Sequence, residues 1–307
     1  FQQVQGDHVI IPDRDLSFNW SYTYSQAFRQ EPDRREFRYD LEEATNTWYL
    51  SDRPEGNSIL YSDLLDENHD RTIMLKKGIY LGNTERRSEI RIGGGMVDRD
   101  RGVDTRRFKY MHKGRLSLAP EVLQLEPQDI FVSDNIGSDG FQFEEVTRQT
   151  DNYSADQKIR SGFALIDGKI KKRVSLLTGA RIEASEQNVQ TFELFNPDQT
   201  PVTANLDNVD ILPAFTGSID LGNEERDELE NQKIRFGYGR TVSRPDFREL
   251  SPATFNDVTG GRQVYGNPDL ERALIDNYDI RWEYYPKAGE TFSIGMFYKD
   301  FQNPIES

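Results

Sequence analysis

The residue types that perform catalysis or bind metals are scattered along this chain. His8, His69 and His112 show no ligand spacing, and each is expected to lie near solvent in a loop or at a strand end. The run Gly93-Gly94-Gly95 lacks the Lys-Ser or Lys-Thr of a phosphate-binding loop and is more typical of a strand that another group approaches closely. These residues therefore predict no catalytic site.

Two sets of acidic residues resemble parts of a cation site and of a glycosidase site, but the other residues that such sites need are missing from the sequence. Asp98, Asp100 and Asp104 resemble part of a calcium loop, but the third acidic position, the central glycine and the closing glutamate of an EF-hand are missing. Glu183 and Glu193 could act as paired carboxylates on a glycoside, yet no pocket can be inferred around them. We predict neither a metal site nor a cofactor, and we expect the chain not to be an enzyme.

The elements that must position any site are β-strands, and the clearest pair lies near residue 290. Positions 278 to 284 alternate between Tyr, Ile, Trp and Tyr on one face and Asp, Arg and Glu on the other, a period of two that excludes a helix. Beyond a turn at 286–290 the alternation resumes with apolar residues at 292, 294, 296 and 298, and Phe297 is the exception. Each strand has roughly 11 to 14 residues, and a tilted strand needs about 9 to 11 residues to cross a bilayer. A strand with one apolar and one charged face is typical of a membrane barrel, with lipid outside and water inside. A soluble β-sandwich shows the same pattern.

Composition narrows the class of protein. The 307 residues carry a formal net charge of −15, with 30% charged and only 35% hydrophobic residues. Such an acidic chain argues against a nucleic-acid partner, which needs clustered Lys and Arg. There is no cysteine and no run of 18 apolar residues, so the sequence predicts neither disulfides nor a transmembrane helix. A polar chain of this kind suits a barrel, where hydrophobic residues need form only an outer belt.

A series of motifs resembles one family in particular. The segments are RTVSRPDFREL at 240–250, GNPDL at 266–270, NYD at 277–279 and FYK at 297–299. Their order and spacing resemble the barrel of TonB-dependent outer-membrane receptors, in which R-P-x-F-R-E-L leaves a late strand and G-N-P-x-L follows in an extracellular loop. The resemblance is strongest over 150–306 and weaker over 1–150.

The resemblance implies a fold and a function. The fold is all-β, an antiparallel transmembrane β-barrel of about 22 strands, of which residues 1–307 would supply about ten, without the plug domain and the last strands. The function is active uptake of a scarce nutrient (a ferric siderophore, cobalamin or an oligosaccharide) across the outer membrane of a Gram-negative cell. The implied partners are outer-membrane lipid, the ligand, and the TonB complex, which acts through the plug and the TonB box. The alternatives are a soluble β-sandwich adhesin and an enzyme built on a barrel.

Short and long connections alternate along the chain, as expected for such a barrel with short periplasmic turns and long extracellular loops. The sequence predicts short turns at 12–15, 82–88, 167–169, 222–231 and 286–290. It predicts long loops over 31–70, 98–150, 187–210 and 244–271.

Two groups of residues are candidates for the site. Arg244, Asp246, Arg248 and Glu249 are predicted to form a mixed-charge cluster where a strand meets a loop, with Pro245 ending the strand ladder. We expect this cluster to attach the loop to the wall of the lumen rather than to contact substrate. The loop aromatics could contact a ligand or pack their own loops; they are Trp48, Tyr49, Phe131, Phe141 and Tyr265.

Overall fold

The computed structural model describes residues 1–51, 57–80, 87–112, 119–171, 173–192, 201–221, 231–251, 254–256 and 263–305. Its strands are β1 (Gln2–Ile11), β2 (Leu16–Phe37), β3 (Tyr39–Glu42), β4 (Thr47–Leu50), β5 (Asn57–Tyr80), β6 (Arg87–His112), β7 (Phe141–Glu145), β8 (Tyr153–Lys171), β9 (Val174–Phe192), β10 (Pro201–Asp220), β11 (Gln232–Ser243), β12 (Thr254–Asn256), β13 (Gln263–Tyr265), β14 (Ala273–Tyr284) and β15 (Phe292–Gln302). Two helices of one turn are α1 (Pro127–Ile130) and α2 (Phe247–Leu250), and 3-10 turns lie at Pro12–Arg14, Pro120–Gln124, Ser133–Asn135 and Gln149–Asp151. Among these residues no helix has the length and apolar character to cross a membrane.

Ten long strands form one antiparallel sheet in the order β1-β2-β5-β6-β8-β9-β10-β11-β14-β15, and β7 pairs with β6 at one end. Each long strand pairs with the next long strand along the chain. The other two sheets are the small hairpins β3–β4 and β12–β13. This confirms the predicted all-β antiparallel barrel wall. The β-sandwich alternative is wrong, because the described residues contain no second large sheet to pack against the first.

The outer face of the sheet carries a belt of exposed apolar residues. Cross-strand register aligns Tyr238, Tyr278 and Tyr298 in one row, with ring centroids 5.1 and 6.1 Å apart. Further along the same face, Ile211 is 62% and Met296 is 71% exposed. A continuous belt of this kind is more apolar surface than a soluble monomer exposes. With its row of tyrosines it fits the lipid-facing band and aromatic girdle of a membrane barrel.

The strands run further than the hydrophobic pattern predicted. β2 reaches Phe37 and β5 starts at Asn57, so most of the loop predicted over 31–70 is strand. The loop predicted over 98–150 is likewise too long, since β6 reaches His112. The loop predicted over 187–210 is also too long, since β9 ends at Phe192 and β10 begins at Pro201. The turn predicted at 167–169 lies inside β8, which pairs as far as Lys171. Where a strand rises beyond lipid both faces meet water, so the period of two disappears while the backbone ladder continues.

The residues that suggested calcium or phosphate chemistry lie within β6. Asp98 accepts hydrogen bonds from Arg71 at 2.5 Å and from Arg160 at 2.9 Å, so it takes part in cross-strand ion pairing. A Cβ on Gly93 would lie 2.4 Å from the carbonyl oxygen of Ile73 and 2.6 Å from the ring of Phe163. The glycine run thus permits the close approach that its position in a strand predicted.

The connections differ at the two rims of the sheet. At one rim the turns at 12–15 and 285–291 are short, whereas the predicted turns at 82–88 and 222–231 lie almost entirely outside the described residues. The opposite rim carries β3–β4, α1, β7 and α2. Two small hydrophobic clusters lie toward this second rim. One joins Phe247 and Leu250 to the inner face of the sheet, and the other holds the loop that contains α1.

Candidate ligand-binding site

The segment 244–251, which we call the anchor segment, leaves β11 and lies against the inner face of the sheet. Pro245 has no N–H to continue the ladder, and its carbonyl accepts a 2.8 Å hydrogen bond from Gln187 Nε2 of β9. Phe247 and Leu250 are each 1% exposed and pack against Val189 and other residues of the wall. Hydrophobic burial therefore fixes the segment to the inside of the wall.

A reciprocal cap forms the single turn of α2 within this segment. The carboxylate of Asp246 accepts from Arg248 N at 3.1 Å, and Asp246 N donates to Glu249 Oε2 at 2.7 Å. This is a capping box, which satisfies backbone donors that the first turn would otherwise leave open. Asp246 and Glu249 thus both take part in this cap.

Arg244 does not pair with its sequence neighbours. Its guanidinium donates to Glu183 at 2.8 Å and Ser185 at 3.0 Å on β9, and to Asp210 at 3.3 Å on β10. Asp210 is also bonded by Arg272, and its side chain is 1% exposed. The four motif residues predicted as one charge cluster are therefore divided between the wall and the cap of α2. Arg244 contacts the wall through Glu183, Ser185 and Asp210, partners that the sequence did not indicate.

The strongest group of charges near the anchor segment was missed in the sequence. Arg99 of β6 donates to both carboxylate oxygens of Asp66 of β5, and Arg101 donates twice to Asp66 Oδ2, all at 2.6 to 2.9 Å. Arg101 also donates to Asp246 at 3.0 Å. Both guanidinium carbons lie 5.1 Å from the centre of the Phe247 ring, within the range of cation–π attraction. The sequence signal was limited to two arginines spaced by two in a strand, which places them on the same face.

A cavity of about 340 Å³ opens between the anchor segment and strands β2, β5 and β6. Its charged lining has one more base than acids and consists of Arg29, Arg34, Arg101, Arg107 and Arg248 with the acids Glu31, Glu36, Asp151 and Asp246. Several of these are paired, for example Arg107 with Asp151 at 2.7 Å. Burial, assisted by the nearby charge of Arg29, lowers the pKa of Arg248. Such a lining suits an anionic ligand with several acceptor oxygens, because guanidinium groups bind carboxylates in a planar fork.

The predicted loop aromatics lie in different environments. Phe131 and Phe141 pack against each other with ring centroids 5.0 Å apart, inside the cluster that holds the α1 loop. Trp48 is 57% exposed on the β3–β4 hairpin, and Tyr49 is next to it. The side chain of Tyr265 lies outside the described residues. None of the four described aromatics is among the residues that line the cavity.

Comparison with known proteins identifies the family. Residues 128–307 match the outer membrane protein beta-barrel family. The chain belongs to this family. Its place is the outer membrane.

Solved structures with the same fold are receptors and transporters. The unliganded ferric citrate transporter FecA aligns over 99% of this chain with a TM-score of 0.58 and 12% identity. The siderophore receptor PiuA of Acinetobacter baumannii has a TM-score of 0.55 at 11% identity, and the ferric-catecholate import receptor Fiu of E. coli K12 has 0.52 at 12%. The chain covers 35%, 39% and 40% of these three structures. They confirm the predicted fold, an antiparallel wall of an outer-membrane β-barrel.

A relative in sequence is the iron-regulated outer membrane virulence protein of Vibrio cholerae serotype O1. It is 31% identical over 72 residues, which are 24% of this chain and 11% of that protein. The chain thus spans about a tenth of this curated relative and well under half of the similar structures.

Proposed function

We propose that this chain forms part of the barrel wall and ligand-capturing surface of a receptor that takes up a ferric chelate, such as a siderophore, across the outer membrane. The observation that carries the proposal is the arginine-lined cavity on the inner face. The proteins of similar fold are named for ferric citrate, siderophore and ferric-catecholate transport, and this supports the same class of ligand. The chain would act as a transporter component and not as an enzyme.

The lining of the cavity favours a ferric chelate over the other two nutrients considered. Ferric complexes of carboxylates or catecholates are anionic, and a lining with one more arginine than acids can offer them charge-assisted hydrogen bonds. An oligosaccharide is neutral and would favour aromatic surfaces, but Tyr153 is the single aromatic residue among those lining this cavity. Cobalamin would gain little from so many guanidinium groups.

Energy for uptake would come from the TonB complex, acting on a plug and a TonB box that belong to the whole receptor. In this scheme Arg244, Asp246 and Glu249 hold the anchor segment in place, and Arg248 faces the ligand. Trp48 and Tyr49 would serve as outer contacts for the arriving chelate. The inner wall would face the plug, and the belt would face outer-membrane lipid.

Uptake of radioactive iron by iron-starved cells tests the proposal. The receptor that contains this chain is expressed in a strain lacking its own siderophore receptors, with and without TonB, and is offered single ferric chelates. Arg248→Gln should reduce uptake of the accepted chelate at least about tenfold, since a hydrogen bond to a charged group contributes about 1.5–3 kcal/mol. The matched control is Arg106→Gln, which removes an arginine from the outer face, where it pairs with Glu145. Equal uptake by both variants, or uptake that does not depend on TonB, would refute the proposal.

A further inference from the structure

Arg101 connects the sheet to the anchor segment through two carboxylates that differ in exposure. Its Nε and Nη2 donate to Asp66 at 2.9 and 2.6 Å, while Nη1 donates to Asp246 at 3.0 Å. The side chains of Arg101 and Asp66 are each 12% exposed, whereas that of Asp246 is 45% exposed. The second ion pair therefore opens onto the cavity, which both of its members line.

The two pairs also differ in how firmly they are held. Asp66 is shielded and is bound by Arg99 as well, through two further hydrogen bonds. The pair of Arg101 with Asp246 has one hydrogen bond and an exposed carboxylate, and exposed ion pairs contribute little because water competes for both partners. A carboxylate that arrives in the cavity offers Arg101 the same charge and the same acceptor atoms. Asp246 thus occupies the place that an external carboxylate would take.

We propose that the cavity binds a carboxylate-bearing anion at Arg101, and that this anion displaces Asp246 and loosens the contact between the anchor segment and β6. The inference rests on the proposed function, in which an anionic chelate reaches this cavity. Binding would then be coupled to the anchor segment, because one residue serves both.

The contacts of the anchor segment define what would change and what would not. Arg244 keeps its bonds to Glu183 and Asp210, so the attachment to β9 and β10 persists. Asp246 can still cap α2 through Arg248 N. On β6, Arg99 and Arg101 keep their contact with the ring of Phe247.

Asp246→Asn tests whether an external carboxylate displaces Asp246 from Arg101. The substitution keeps the cap of α2, because asparagine and aspartate are equally good N-cap residues. Citrate, with and without ferric iron, serves as the probe for the receptor that contains this chain, purified in detergent, and sucrose is the neutral control. Removal of the competing charge should tighten citrate binding by up to about fivefold, the ratio that corresponds to an exposed ion pair. Arg101→Gln should weaken binding by about tenfold or more, and Arg106→Gln should leave it unchanged. Heat-modifiable migration on a gel checks that each variant is folded.

Hydrogen exchange of the amides at 247–251 reports on the anchor segment itself. Citrate should accelerate their exchange in the unmodified chain, while in Asp246→Asn exchange should already be fast and should not respond to citrate. The inference is overturned if citrate does not bind, if Asp246→Asn binds it equally or more weakly, or if binding leaves this exchange unchanged. Iron uptake by cells is measured separately. If the receptor imports iron but citrate does not change the amide exchange, the proposed function stands and this inference is refuted. If citrate changes the amide exchange but the receptor imports no iron, the anion site stands and the proposed function is refuted.

Discussion

The network around Arg244 should be a major contributor to the stability of the inner wall. Arg244→Gln removes the two carboxylate contacts, at 2.8 and 3.3 Å, and the 3.0 Å bond to Ser185. Breaking a buried ion pair outright costs about 3–5 kcal/mol. Here each acid retains an arginine, because Arg181 lies 2.6 Å from Glu183 and Arg272 bonds Asp210. The expected loss is therefore about 2–3 kcal/mol, close to that of one charge-assisted hydrogen bond.

Urea unfolding in lipid vesicles, followed by tryptophan fluorescence, measures this loss. Arg106→Gln is the control, since Arg106 is 61% exposed and pairs with Glu145, which is also exposed. It should shift the midpoint far less. Arg244→Lys should recover only part of the loss, because one ammonium group cannot reproduce the fork of the guanidinium. If Arg244→Gln and Arg106→Gln shift the midpoint equally, the network does not stabilise the wall and the reasoning is wrong.

Three further outcomes follow from the same structure. Gly266→Ala should destabilise the loop by about 1–3 kcal/mol in the same unfolding assay, since its Cβ would lie 2.2 Å from the carbonyl oxygen of Ser251. Ile211→Arg places a charge on the lipid face and should cost about 2–4 kcal/mol in vesicles if the residue lies near the bilayer centre. Hydrogen bonds from Arg106 and from a threonine lower the pKa of Glu145 to about 2. Its contribution to stability is then present above the unfolded pKa of about 4.3 and lost as the pH falls through about 2, which a carboxyl NMR titration can follow.

Each of these has a control or a contrary result. A Cβ on Gly102 would meet nothing within 4 Å, so Gly102→Ala should be neutral or slightly stabilising. Asp207 lies on the same face of β10 as Ile211 but beyond the apolar belt, so Asp207→Arg should lower the free energy of unfolding much less than Ile211→Arg does. Equal costs at 207 and 211 would refute the assignment of the belt. A Glu145 carboxyl that titrates near 4 would refute its hydrogen bonding.

Periodicity predicted the transmembrane parts of the strands because lipid and lumen impose opposite chemistry on alternate residues. The pair β14–β15 is the clearest case, since Tyr278, Ile280, Met296 and Tyr298 are all exposed on the lipid face. Beyond the belt no such contrast exists. The upper part of β6, which includes Asp98, Asp100 and Asp104, therefore appeared as a loop in the sequence although it is continuous strand.

The site was predicted less completely than the fold, and the reason is sequence distance. The motif at 244–250 indicated an attachment to the lumen wall, and its own Phe and Leu supply the buried anchors. The wall partners of Arg244 and Asp246 lie 34 to 145 positions away, as in the contact of Arg101 with Asp246. Such pairs depend on the register of six strands, which a single sequence does not determine. Ligand contact by Trp48, Tyr49 and Tyr265 stays a prediction.

The inner wall holds its carboxylates in two different ways, and the difference assigns them different tasks. Asp66 and Asp210 are each bound by two arginines and are shielded from water, so removing either would take a shared counter-charge from two arginines of the wall. Asp66 and Asp210 are therefore suited to stabilise the wall and are not suited to be displaced by a ligand. Asp246 shares one of those same arginines but meets solvent, so its place can be taken by another anion at small cost. A ligand that competes for Arg101 therefore acts on the anchor segment while the wall around it stays intact.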